Sequence, residues 1–184
     1  MKIIGITGGV GAGKSTILDY LSQKYDAYVI QADKIGHLVM EPGGLCYEHV
    51  IALFGRQIIK NDKTIDRKQV SDVVFGNELM RQSLDAIIHP AVKTYILEEI
   101  RKQRQAGCRL LVIEAALLLE EHYEEFCNNV WYIHTDAEIR IRRLMDSRGY
   151  TREKAEKFIS AFFVIVKAND LLCCIYIRVN SKGN

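Results

Sequence analysis

Gly8, Gly9, Gly11, Gly13, Lys14 and Ser15 fall in one short run, Gly8-Gly9-Val10-Gly11-Ala12-Gly13-Lys14-Ser15. Their order matches G-x-x-x-x-G-K-[ST], a loop whose chemistry is the cradling of phosphate. Glycine permits the tight turns and lets the backbone approach a ligand with no Cβ in the way. Successive N–H groups then face the anion, and the start of the following helix adds its positive end. Lys14 in such a loop reaches the β- and γ-phosphates of a nucleotide, and the Ser15 hydroxyl is a ligand for Mg²⁺. Ala12 and Thr16 complete the candidate nucleotide-binding positions. The flanks agree with the motif. Lys2-Ile3-Ile4-Gly5-Ile6 reads as a short buried strand, and Ser15 to Lys24 as a helix with Ile17, Leu18 and Leu21 on one face.

Two carboxylates stand where a parallel sheet presents its chemistry. Ala27-Tyr28-Val29-Ile30-Gln31 reads as a second strand ending at Ala32-Asp33, and Arg109-Leu110-Leu111-Val112-Ile113 as a third ending at Glu114. The crevice beyond the carboxyl ends of such strands is the ligand side of an open α/β sheet. Asp33 has two readings, a group that does chemistry or the N-cap of a helix beginning near Lys34. Glu114 also has two: a carboxylate that holds Mg²⁺ directly or through water, or a solvated charge at a strand end.

The elements between these strands must position an acceptor. Pro42-Gly43-Gly44 breaks the chain, and the stretch to Gln105 carries amphipathic helices with no strong strand among them. Asp66 and Gln69 have capping-box spacing for a helix over Arg67–Phe75. Pro90 is expected at the first position of a long helix with Val92, Ile96, Leu97 and Ile100 on its buried face, ended by Gly107. His89 then sits at that helix start, as a structural histidine or as a ligand. Asn129–Ile133 reads as a fourth strand, with Thr135 and Glu138 as a second capping box. The helix from Asp136 carries Arg140, Arg142 and Arg143, with Arg148 past its end. Such a row is either a solvated face or a set of guanidinium groups closing over phosphate. Thr151 is expected to cap a further helix from Arg152 to about Ile159.

Composition narrows the classes. The chain has 184 residues, 48% of them hydrophobic, enough for one α/β domain with a small insertion. Its 25 basic and 23 acidic residues leave a net charge of +2, which argues against a general nucleic-acid binder. Its 5 cysteines are odd in number and contain no C-x-x-C, so reduced thiols in a cytoplasmic protein are expected, with neither a disulfide framework nor a zinc site. The start runs directly into strand and loop, which predicts no signal peptide, and the longest apolar runs, Ala161–Val166 and Leu171–Ile177, are too short to span a bilayer.

Taken in order, Ile6-Thr7-Gly8-Gly9 into Gly13-Lys14-Ser15, Gln31-Ala32-Asp33, Pro42-Gly43-Gly44, Ile88-His89-Pro90, Glu114 to Glu120 and Arg140 to Gly149, the chain resembles the dephospho-coenzyme A kinases over residues 1 to about 160. The resemblance implies a three-layer α/β/α P-loop core with about five parallel strands, a helical acceptor-binding region at 41–106 and an arginine-bearing lid at 136–160, all in a single domain over 1–184. It implies phosphorylation of the ribose 3′-hydroxyl of dephospho-CoA by ATP and Mg²⁺, giving CoA and ADP in the last step of coenzyme A biosynthesis. Asp33 would accept the hydroxyl proton, with Lys14 and Arg140 as its catalytic partners. Arg143 would bind nucleotide, and Asp33, His89 and Glu114 the acceptor. Small-molecule partners are implied, with no nucleic acid and no membrane. The expected state is a monomer with some weak self-association.

Two departures accompany the resemblance. Ala116 stands where the family often has proline, and from about Phe162 the family pattern of a Gln, a polar helix and a strand ending in an Asp-Asn-like pair is absent. Divergence or a shifted reading frame would both produce such a tail. Leu171–Ile177 is expected as the fifth strand in either case, and exposed Phe162, Phe163 and Ile165 to promote association. The rival readings are a kinase of the nucleoside monophosphate or shikimate type and a nucleotide-binding protein inactivated by its tail. Shikimate kinases resemble D-x-D at the second strand, where this chain has Asp33 alone. The N-K-x-D of GTPases does not occur.

Overall fold

A computed structural model describes residues 1–161 and 174–178. β1 (Lys2–Gly8) is buried from Ile3 onward, as expected for a strand covered on both faces. It pairs in parallel with β3 (Leu110–Glu114), Ile6 opposite Glu114, and with β4 (Asn129–His134), Gly8 opposite Ile133. β2 (Tyr28–Gln31) lies outside β3, and β5 (Cys174–Arg178) pairs in parallel with β4. The strand order is therefore β2-β3-β1-β4-β5. From β1 the chain goes to the edge at β2, returns to β3 beside β1 and then crosses to β4 on the other side, so the loop after β1 stands where an open sheet binds its ligand. The expected fifth strand is present over Cys174–Arg178. The expectations for Phe162–Val166, and for Leu171 to Cys173, lie outside the described residues.

The chain divides into two compact units, Met1–Ile30 with the described residues from Gln103 on, and Gln31–Lys102. In the first, α1 (Lys14–Tyr25) places Leu18 and Leu21 on Ile4, Ile6, Val112 and Ile133, with Ile17 and Trp131 at the edge. On the opposite side of β1, a methyl group at Gly5 would lie 2.9 Å from both Cys127 and Leu118. Glycine there lets the segment after β3 close on the strand. α6 (Ala137–Arg148) and α7 (Arg152–Ala161) form a hairpin around Ile141, Leu144, Ala155 and Ile159. Thr151 caps α7 as expected, its hydroxyl accepting from the Lys154 N–H at 3.3 Å.

The second unit contains α2 (Ala32–Leu38), α3 (Tyr47–Phe54), α4 (Arg67–Val74) and nearly all of α5 (Glu78–Gln105). The Pro42–Gly44 break is a tight turn: the Gly44 N–H donates to Glu41 at 2.7 Å, and Gly43 has φ +82°. Asp66 caps α4 by accepting from the Lys68 and Gln69 N–H groups.

Pro90 does not begin a helix. It lies inside α5, which starts at Glu78, where the Asn77 side chain accepts from the Met80 N–H at 3.1 Å. Proline withholds a single N–H, and the upstream cap together with the burial of Val92, Ile96 and Ile100 carries the helix through it. His89 is accordingly a mid-helix residue. Gly107 ends α5 as expected. Its N–H donates to Arg104 and that of Cys108 to Gln103, the paired bonds of a Schellman stop. No helix of the described residues is long and apolar enough to cross a membrane.

Candidate active site

The Gly8–Ser15 loop joins β1 to α1, and all of its carbonyls before the helix are engaged. Gly8 accepts from Lys14 Nζ at 2.9 Å, Val10 from Arg140 Nε at 2.7 Å, Gly11 from Arg143 Nη1 at 3.0 Å and Ala12 from Thr135 Oγ1 at 2.8 Å. Gly9 accepts from the Ala12 N–H at 3.2 Å and Gly13 from the Ile17 N–H at 3.4 Å. In a trans peptide the C=O and N–H point in opposite directions. Carbonyls drawn outward therefore turn their partner N–H groups inward, which makes an anion-binding nest. Gly8, Gly11 and Gly13 have φ of +143°, +77° and +94°, conformations that side-chain-bearing residues rarely adopt. A Cβ at Gly8 would also strike the Ile133 carbonyl, and one at Gly9 the Arg140 guanidinium.

Lys14 and Glu114 meet at this loop, Nζ to Oε1 at 3.5 Å, which ties the end of β3 to the end of β1. Ser15 and Thr16 are exposed at the first turn of α1. Among the described residues no cluster of three His, Cys, Asp or Glu could form an all-protein metal cage. A hydroxyl and one buried carboxylate nonetheless suit Mg²⁺, which keeps several waters and takes the remainder of its shell from substrate phosphates.

The arginine row is divided in its work. Arg140 and Arg143 are turned onto the loop, so they are not a solvated face. Arg140 Nη2 is buried without a hydrogen-bond partner, a donor that an anionic oxygen would satisfy. Burial lowers the Arg140 guanidinium from its ordinary value, with Tyr132 opposing the shift; arginine remains a cation throughout. Arg142 is exposed. Arg148 is the last residue of α6, not beyond it, and its guanidinium stands 6.0 Å from the Phe158 ring centre.

Thr135 is not a capping-box residue. α6 is capped at Asp136, and the Thr135 hydroxyl is buried on the loop. The strand runs one residue longer than its apolar pattern, to His134, and this carries Thr135 past the sheet edge onto Ala12. Its only sequence signal was a threonine leaving a strand, which capping explains equally well.

The remaining carboxylate candidate lies in the second unit. Asp33 occupies the first turn of α2, exposed, with Gln31 as the N-cap. The helix begins two residues earlier than Lys34, so Asp33 does not cap it, and its carboxylate sits favourably at the positive helix end. α2 lies against α5 at Gly36, where an added methyl would stand 3.9 Å from Ile88 and Val92. His89, next to that contact, has Nε2 3.8 Å from Asp85 Oδ1.

A strand, a phosphate loop with its Lys–Glu pair and two arginines are common to many nucleotide enzymes. The model of one family, described as dephospho-CoA kinase (CoaE), matches residues 2–168. This chain belongs to the dephospho-CoA kinase family. The match extends to residue 168, past Phe162, where the tail departs from the family pattern. The kinase is similar to the dephospho-CoA kinase of Shouchella clausii, 35% identical over 158 residues, covering 86% of this chain and 80% of that one. It is 37% identical over 155 residues to that of Corynebacterium diphtheriae, covering 84% and 77%. Among solved structures, the dephospho-CoA kinase from Campylobacter jejuni superposes on the kinase with a TM-score of 0.67 at 25% identity, covering 98% of this chain and 90% of that one. A Thermus thermophilus protein shares the fold, with a TM-score of 0.79 at 24% identity and the same coverage.

Proposed function

We propose that this kinase transfers the γ-phosphoryl group of ATP to the ribose 3′-hydroxyl of dephospho-CoA. The O3′–P bond forms, the bond from the γ-phosphorus to the bridging oxygen breaks, and ADP leaves. The loop N–H groups and Lys14 hold the β- and γ-phosphates, with Gly8, Gly9, Gly11, Ala12, Gly13, Ser15 and Thr16 forming the cradle. Ser15, and Glu114 through water, would hold Mg²⁺, which neutralises charge on the phosphates. Asp33 accepts the hydroxyl proton as general base. Arg140 and Arg143 offset the charge of the phosphoryl group, and residues 136–160 act as the lid that excludes water as a competing acceptor. The helical stretch 41–106, with His89, binds the acceptor. Both substrates are small molecules. The near-balance of 25 basic and 23 acidic residues supports the absence of general nucleic-acid contact, and a cytoplasmic monomer without membrane contact completes the reading.

The observation that carries this reading is the hold of Arg140, Arg143 and Thr135 on the three successive loop carbonyls of Val10, Gly11 and Ala12 in a member of this family. ADP release, measured with ATP and dephospho-CoA, AMP, CMP or shikimate, tests it. Stimulation is expected with dephospho-CoA, whose product gains one phosphate at the 3′ position. Equal or greater stimulation by another acceptor would overturn the reading.

A further inference from the structure

We propose that Thr135 is a positioning residue for the nucleotide: by holding the carbonyl of Ala12, its hydroxyl aims the N–H of Gly13 at phosphate. The inference rests on the loop being the ATP site, and deepens that reading by naming what sets the loop's shape. Thr135 and Ala12 are each 1% exposed, and the bond between them is 2.8 Å long. Water does not reach the pair, so a side chain without a hydroxyl leaves the Ala12 carbonyl buried and unpaired. The repair open to the chain is rotation of the Ala12–Gly13 peptide, which the glycine at φ +94° permits. That rotation swings the Gly13 N–H out of the nest, because the two groups of a trans peptide move together.

The neighbouring contacts show that this is a built brace. Thr135, Arg140 and Arg143 all follow β4 closely in sequence, and they grip Ala12, Val10 and Gly11. The Val10 side chain also packs against the α6–α7 cluster of Ile141, Leu144, Ala155 and Ile159. The tip of the phosphate loop is thus seated in the hairpin, and its base is pinned by Thr135. Lys14 and Ser15 are untouched by the Thr135 bond. Its loss should therefore weaken phosphate binding to a similar degree in ground and transition states, which raises KM for ATP and leaves kcat nearly unchanged.

The test uses the full chain and Thr135→Val, Thr135→Ala and Thr135→Ser. A non-hydrolysable ATP analogue is titrated by calorimetry, and KM and kcat are measured for ATP and for dephospho-CoA. Thr135→Val should weaken analogue binding and raise KM for ATP roughly tenfold, the scale of one unpaired buried carbonyl. Its kcat and its KM for dephospho-CoA should stay within about threefold, and Thr135→Ser should restore ATP binding. Thr135→Ala, smaller than threonine, supplies the same comparison should the valine variant not fold. A folded Val or Ala variant that binds the analogue as the wild type does, or a Ser variant as impaired as Val, overturns the proposal. A wild-type protein that binds the analogue but is not stimulated by dephospho-CoA would overturn the acceptor reading alone, and the titrations would still decide Thr135.

Discussion

The ammonium of Lys14 stands 3.5 Å from the carboxylate of Glu114, with the two side chains 17% and 9% exposed. Lys14 also donates to the Gly8 carbonyl, so the cation bridges the end of β1 and the end of β3 before any nucleotide arrives. Glu114→Gln keeps the shape of the pair and removes its negative charge. If Glu114 also supports Mg²⁺ through water, the variant should need about 10-fold to 100-fold more Mg²⁺ for half-maximal rate, the cost typical of losing a group that orients a metal shell. Rates measured across a Mg²⁺ series check this. An unchanged requirement would assign the carboxylate to Lys14 alone.

Lys14 and Asp33 should separate binding from chemistry. Lys14→Ala should weaken ATP binding and lower turnover together, because in the proposed mechanism the cation would touch the phosphates in ground and transition states alike. Asp33→Asn should leave ATP affinity nearly intact and lower turnover on the order of 10²-fold or more, the scale of a lost general base. Calorimetric ATP binding beside steady-state rates distinguishes the two patterns. Near-normal turnover in Asp33→Asn would reduce Asp33 to a favourable charge at the start of α2.

Alkali should destabilise the segment that packs on Gly5. Burial pushes the Cys127 thiol up to about 12, with Glu124 adding to the shift, and the Tyr123 hydroxyl likewise to about 12. Below pH 9 the thiol keeps its proton folded or unfolded. Between about 9 and 12 the unfolded chain binds fewer protons than the folded one, so stability falls as pH rises. Urea unfolding at pH 8 and pH 11 should show this loss, and Cys127→Ala should lose less over the same interval. Equal losses in both proteins would place the alkaline sensitivity elsewhere.

Much of the site is written locally. The glycine spacing with Lys14 and Ser15, the apolar runs of β1 and β3, the helix after the loop and the carboxylate Glu114 all rest on neighbours in sequence, and periodicity reports such neighbours well. The family likeness rests on the same short stretches in order, and the parallel-sheet fold it implies follows from them. Pro90 escaped this reading because helix starts and proline-bearing interiors share a local signature. What continues α5 through Pro90 is a cap at Asn77 and burial of Val92 and Ile96, which a local rule does not weigh. Thr135 escaped for a different reason, and the two arginines, legible as phosphate-facing, gave no local sign of their grip on the loop carbonyls. Their partners, Ala12, Val10 and Gly11, lie 123, 130 and 132 residues away. The sequence supplied a threonine able to cap and arginines able to stay in water; only the parallel pairing of β4 with β1 set them against the loop. Local chemistry thus determined what the loop can bind, and long-range packing decided which side chains hold it in shape, because a hydrogen bond between distant residues exists only once the sheet has brought them together.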